Sequence, residues 1–502
     1  MEYCPQINAS SHPLLIEPVN FSILPGFIWT VCLQGAKLGG MSTEASPVTS
    51  GSASGESRPG LFANSSAAPL ASAAVPAPVG GVARLRRAER QQVRMQMASL
   101  DALLPEEHPA RVVWEYVEGL DLSGLHDAIR AVAGHCGRDA TDPRILMALW
   151  LYATLEGVGS ARELARLCEE HVAYQWICGG VSLNYHTLSD FRTAHVELLD
   201  RLLTQGVAGL MHEGLVTMQR VAQDGMRVRA HAGTASFRRE PTLARLEEEA
   251  RQQVAALREE LHADPGACTR RQAAARERAR RERQERIVRA REALPAIQAK
   301  KRPDRQDQAR ASTTDADARF MKMADGGIRP AVNVQLATET HSQIITGVDV
   351  GNVGSDMGQM GSMLQQHQDR YERPPGEMLV DGGFASRQDI DAATRAEPPT
   401  VIYAPVQKSR KEKGQSCYQR QPADTDAVAQ WRQRMATPQA QTIYKERAAT
   451  AECINALARN RGMQQFLVRG LRKIKAVVLW FALAHNLLRA VVLRRQAAAL
   501  AT

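Results

Sequence analysis

The chain has 502 residues, 44% hydrophobic and 23% charged, and its 63 Lys and Arg outnumber 54 Asp and Glu for a formal net charge of +9. At about 150 residues per domain this predicts roughly three domains with a sizeable core, and a charge that permits a polyanionic partner without demanding one. Eight scattered cysteines with no CxxC pair exclude a disulfide scaffold, argue against structural zinc and predict reduced thiols in a cytosolic protein.

Residues 1–83 read as an extension. Phe21 to Leu33 is uncharged but short, broken by Pro25-Gly26 and without a basic lead, so it matches a signal peptide poorly. From Met41, itself an alternative start, to Val82 the chain is mostly Ser, Ala, Gly and Pro and is predicted to be disordered. Arg84, Arg86, Arg87 and Arg90 follow, as a solvated linker or as a phosphate-contacting arm.

Residues 84–214 predict a helical domain. Val112, Val113, Tyr116 and Val117 mark one helical face, Asp142-Pro143 opens a second helix, and Ser160 with Glu163 forms a capping-box pattern for a third. After Gly179-Gly180, the segment Tyr185 to Arg192 suits either an ordinary bundle helix or a helix-turn-helix reader, with His186 and Arg192 as its DNA contacts. Residues 241–310 predict two charged helices broken at Pro265-Gly266, with 18 Lys and Arg against 12 Asp and Glu.

Strand patterns begin at Arg329. Ala331–Leu336 and Ile344–Val350 predict a hairpin, and Met378–Asp381 and Thr400–Ala404 predict two further strands. Helical pattern returns near Tyr444. Ile474 to Leu493 is apolar, but Lys475, His485, Asn486 and Arg489 interrupt it, so no membrane span is expected. Strands and helices around one sheet predict an α/β class.

Asp224 and Asp381 each end an apolar stretch and precede a glycine. Such a carboxylate is either a turn residue or a ligand for a hard cation such as Mg²⁺. Glu452 and Arg459 stand seven apart on the late helix and can share a face, one for metal and one for phosphate.

Several ordered blocks together resemble the DDE-type insertion-sequence transposases. They are Leu103 to Pro109, Asn184 to Arg192, Asp224 to Val228, Leu379 to Phe384, Tyr444 to Arg447, and Ala484 to Arg489. The resemblance implies an RNase H-like catalytic core over 215–490, with 241–310 as a helical insertion and 84–214 as the DNA-binding domain. It implies Asp224, Asp381 and Glu452 as a triad holding two Mg²⁺ ions, with Mn²⁺ as a substitute. Tyr444, Arg447, Glu452 and Arg459 resemble the family's Tyr-Arg-Glu-Lys signature, although the Arg-to-Glu gap is one residue longer and Arg459 replaces Lys. Glu446 is therefore a rival third acid. The implied function is binding of terminal inverted repeats in double-stranded DNA, Mg²⁺-dependent cleavage and strand transfer to target DNA. A homodimer at synapsis and a cytoplasmic, nucleoid-associated location are implied too. A catalytically inactive DNA-binding regulator and a plain nuclease are the alternatives.

Overall fold

The computed structural model describes residues 91, 97, 99–132, 134, 139–264, 269–407 and 416–501. The extension, the arginines between 84 and 90 and the Pro265-Gly266 break lie outside these residues. Val93–Thr502 forms one compact unit.

Among the described residues seven α-helices come first: α1 (Pro109–Glu118), α2 (Ser123–Asp127), α3 (Pro143–Leu155), α4 (Ala161–Glu170), α5 (Val172–Cys178), α6 (Tyr185–Ala194) and α7 (Val196–His212). Local chemistry sets their starts. The Asp142 carboxylate accepts from the Arg144 N–H (2.8 Å) with Pro143 at the first helical position, and Ser160 Oγ accepts from the Glu163 N–H (3.4 Å). Gly179 ends α5 in the left-handed region (φ 56°). Helix α3 is the hub: ten of its thirteen residues are buried, and Trp150 Nε1 donates to Leu188 O of α6 (2.9 Å).

The sheet follows, with β1 (Arg220–Arg229), β2 (Phe237–Arg238), α8 (Glu240–Ala263), α9 (Arg270–Ala299), β3 (Ala311–Ser312), β4 (Arg319–Lys322), β5 (Ile328–Glu339), β6 (Ile345–Gly351), α10 (Gln359–Tyr371), β7 (Glu377–Leu379), α11 (Arg387–Arg395) and β8 (Val401–Tyr403). Four helices close the chain: α12 (Asp426–Met435), α13 (Pro438–Arg447), α14 (Cys453–Asn460) and α15 (Leu471–Ala501). Strand β1 pairs antiparallel with β5, which pairs antiparallel with β4 near its start and with β6 further along. On its other edge β1 runs parallel to β7, and β7 parallel to β8. The molecule is thus a mixed α/β protein whose curled sheet has three antiparallel pairings and two parallel ones.

Helices α8 and α9 form a hairpin inserted between β1 and β5, closed at its base by the β2–β3 pair. Leu243, Ala250, Val254 and Leu257 of α8 and Ile287, Ala290 and Leu294 of α9 are buried, so α9 has the apolar contacts that its sequence barely suggests. Ion pairs tie the two helices together, Arg276 to Glu260 (2.9 Å) and Arg291 to Glu240 and Glu247 (3.0 and 3.1 Å).

Helix α15 joins the helical block to the sheet, packing on α3, α6, α7 and β6. It is long and apolar enough to cross a membrane by length and composition, but 78% of its apolar window is buried within the molecule. Its polar residues explain why. Asn486 accepts from the Ile345 N–H and donates to the Ile345 carbonyl (both 2.8 Å), His485 Nε2 lies 2.8 Å from Gln343 O, and Arg489 Nε donates to Ser342 O (2.6 Å). The His-Asn-Leu-Leu-Arg tail is therefore a clamp on the β5–β6 turn. Replacing Asn486 by Ala strands a buried N–H and a buried C=O, for an expected loss on the order of 3 kcal/mol in chemical denaturation.

Candidate active site

Asp224 lies in the middle of β1, not in a turn. Its neighbour Gly225 is required by close approach: a Cβ there would collide with Asp356 Oδ1 and come within 2.6 Å of Gln335 Nε2. Ala222 pairs with Leu379 at the end of β7, so two residues further along each chain Asp224 and Asp381 come side by side. Strand β7 stops at Leu379 while β1 continues to Arg229, which leaves an open edge beside Asp224. Asp381 is exposed in the turn that follows β7, its Oδ1 accepting from the Gly382 N–H (2.7 Å), and Phe384 anchors that turn in the core.

The third part arrives on α13, which runs into a π-helical turn, Ala448–Glu452, and then into α14. A π turn accommodates one extra residue within an otherwise α-helical run. Arg447 and Glu452 are five apart, yet Arg447 Nη2 donates to Glu452 Oε1 (2.9 Å) while Nη1 stands 3.6 Å from Asp224 Oδ2. Arg447 Nε is 3.1 Å from Tyr444 Oη. The extra residue between Arg and Glu is thus taken up by the π turn, and Glu452 reaches the Asp224 side. Glu446 points elsewhere, to Arg220 (2.6 Å), which Glu377 also holds (2.5 Å).

Electrostatics follow from this packing. Burial pushes the Asp224 carboxyl above its usual range, against Arg447 and the Gly225 N–H, and the nearby Asp356 and Asp381 charges add to the rise. Burial works against the Arg447 charge, but Tyr444, Asp224 and Asp381 outweigh it and hold its pKa above the ordinary value. Hard carboxylate oxygens suit Mg²⁺. Among the described residues, however, no three His, Cys, Asp or Glu side chains form a group able to hold an ion, and the Arg447 guanidinium faces both Asp224 and Glu452. Asp224 and Asp381 supply oxygens of this kind close enough for their charges to interact. Glu452 is well exposed and paired with Arg447.

Residues 98–194 match a family described as Transposase domain (DUF772), and residues 406–491 match one described as Transposase DDE domain. Together the two matches support an insertion-sequence transposase of the DDE type. Neither a curated protein nor a solved structure matches it. In this transposase the second matched segment carries Tyr444, Arg447, Glu452 and Arg459, while Asp224 and Asp381 lie between the two segments.

The transposase brings Asp224, Asp381, Tyr444, Arg447 and Glu452 together. Arg459 is exposed on α14, and His186 is exposed on α6 with its ring 4.0 Å from that of Tyr185. Arg192 is placed differently from the expectation of a groove-facing side chain. Its guanidinium lies over the Trp150 ring (4.6 Å) and donates to Gly159 O inside the helical block, because α6 turns this side chain toward α3. Two neighbours of the site escaped sequence reasoning. Asn455 Nδ2 donates to Asp224 Oδ2 (3.0 Å), and Asp356, held by Asn333 (2.7 Å), Gln335 (2.9 Å) and Arg227 (3.2 Å), backs Gly225. The three-residue step from Glu452 to Asn455 on the same helix was the readable signal for Asn455; Asp356 left none.

Proposed function

We propose that this transposase cleaves DNA at the terminal inverted repeats of its element and joins the freed 3′ ends to target DNA, using Mg²⁺. The observation that carries this reading is the approach of Asp224 on β1 to Asp381 in the turn just past the neighbouring parallel strand β7, with Glu452 linked to Asp224 through Arg447. The strand order, antiparallel β4, β6, β5 and β1 continued by the parallel β7 and β8, supports an RNase H-like core over 215–490, with the α8–α9 hairpin as an insertion.

Asp224 and Asp381 would hold the divalent ions, with Glu452 completing the set. When bound, the ions supply activation of the attacking oxygen and stabilisation of the leaving oxygen. The chain's own groups do the positioning. Asn455 fixes the Asp224 carboxylate, and Tyr444 fixes the Arg447 fork. Arg447 neutralises the two acids and, once displaced from Glu452, offers a planar donor to a phosphate. Water attack frees a 3′ hydroxyl at the element end, and that hydroxyl attacks a target phosphodiester without a covalent protein intermediate. The exposed His186 face of α6 and exposed Arg459 are the proposed DNA contacts. Synapsis of two ends favours a homodimer, and a DNA substrate favours a cytoplasmic, nucleoid-associated location.

The test is a cleavage assay on duplexes carrying the element's own ends. Nicks with free 3′ hydroxyls that appear with Mg²⁺ and vanish with a chelator are expected, followed by joined products when target DNA is added. Full cleavage by an Asp381→Ala protein would refute the assignment.

A further inference from the structure

A cleft of about 360 Å³ opens where the helical block meets the segment after α14, lined by Thr154, Gly159, Ser160, Arg192, Arg461 and Gln464 among others. Two glycine loops build it. Gly157 and Gly462 both adopt left-handed backbone (φ 74° and 89°) and touch, so that a Cβ on Gly462 would lie 3.1 Å from the Gly157 carbonyl oxygen. The first loop, Gly157-Val158-Gly159-Ser160, leads directly into the N-terminus of α4, where backbone N–H groups and the helix dipole favour an anion.

Two guanidinium groups enter from the two sides of this seam, Arg192 from α6 and Arg461 from the end of α14. Arg192 is half-buried, with Nη1 donating to Gly159 O, and its buried Nε has no hydrogen-bond partner; Arg461, half-buried too, has a buried and unpartnered Nη1. Burial pushes the Arg192 pKa down to about 10, and it lowers that of Arg461 despite the favourable charge of Glu156. Glu163, on the cleft wall, is exposed to solvent and forms no ion pair with either arginine. A half-buried cation with no carboxylate in direct contact is costly, and a buried donor without an acceptor requires an explanation. An occupant with several anionic oxygens relieves both, and the arginine fork matches phosphate geometry.

We propose that this seam is a phosphate-binding site, with Arg192 and Arg461 as its cationic donors and the Ser160 end of α4 as its neutral one. It uses none of the carboxylate-site residues and requires no catalysis. The phosphate belongs either to a DNA backbone or to free orthophosphate, which present the same chemistry to the two arginines.

The experiment uses the full chain and inorganic phosphate, titrated by calorimetry against chloride at equal ionic strength. Wild-type protein is expected to bind phosphate, Arg461→Gln to bind it at least about tenfold more weakly, and Arg461→Lys to keep part of the affinity. Arg192→Gln removes a side chain stacked on Trp150 and endangers the fold, so Arg461, at the end of its helix, carries the test; a thermal melt checks that each variant is folded. Equal phosphate binding by wild type and folded Arg461→Gln, or none by wild type, overturns the proposal. A second arm measures binding of a short duplex. If Arg461→Gln weakens it about tenfold and orthophosphate competes with it, the occupant is a backbone phosphate. If duplex binding is unchanged while phosphate binding is lost, the site stands as one for free orthophosphate. Neither arm measures cleavage, so failure of the transposition reading and failure of this site are told apart.

Discussion

An Asp224→Asn protein is expected to lose Mg²⁺-dependent strand cleavage by at least about 10³-fold while keeping its stability within about 1 kcal/mol of wild type. The amide has the shape of the carboxylate and can still accept from the Gly225 N–H and face Asn455. It cannot share the charge of a divalent ion. Burial already opposes the Asp224 charge in the folded chain, so a neutral group at this point does not penalise folding. Asp224→Ala should show the same loss of cleavage with a lower melting temperature, because Asn455 and Arg447 then lose a partner inside the site. Single-turnover cleavage and thermal melting of the two variants give both numbers. Near-wild-type cleavage by Asp224→Asn would remove β1 from the chemistry.

The second large effect separates the two candidate third acids. Glu452→Gln is expected to reduce cleavage by at least about 10²-fold, whereas Glu446→Gln should leave it within about threefold of wild type. The cost of Glu446→Gln falls on stability, about 0.5 kcal/mol or less, since Arg220 keeps Glu377 and the lost pair is partly exposed. The π turn gives this contrast its geometry. Deleting the exposed Ala449 should restore ordinary α-helical spacing between Arg447 and Glu452 and leave cleavage largely intact. A deletion in a plain α-helix would instead rotate everything beyond it by about 100°. If Glu446→Gln is the inactive variant, the third acid has been misassigned.

Much of the fold was readable where side chains repeat with a clear period. The alternation in Ala331–Leu336 and Ile344–Val350 yields the β5–β6 hairpin, and the Asp142-Pro143 and Ser160 caps yield two helix starts. Strand β1 was only half readable. Gly225 looks like a turn signal, yet it is there because Asp356 presses on its Cα from behind, a contact 131 positions away in sequence. Arg192 shows the opposite problem. Its place after a polar helix start suggests a groove contact, but helical phase turns it toward Trp150, and that phase depends on how α6 packs against α3. The π turn leaves no trace in composition; only the one-residue excess in the Arg447 to Glu452 spacing hints at it. The charge surplus proved equally uneven in use. Arg220, Arg276 and Arg291 neutralise nearby acids, whereas Arg192 and Arg461 form no ion pair among the described residues and each keeps one buried N–H without an acceptor, so the net charge alone does not say where an anion binds.

The most direct test of the proposed centre is Mn²⁺ binding to the protein without DNA, followed by electron paramagnetic resonance. Wild-type protein should bind Mn²⁺, Mg²⁺ should displace it, and Asp224→Asn and Asp381→Asn should each lose at least about tenfold in affinity. Equal Mn²⁺ affinity in wild type and in both aspartate variants would contradict a metal centre built on Asp224 of β1 and Asp381 just past β7.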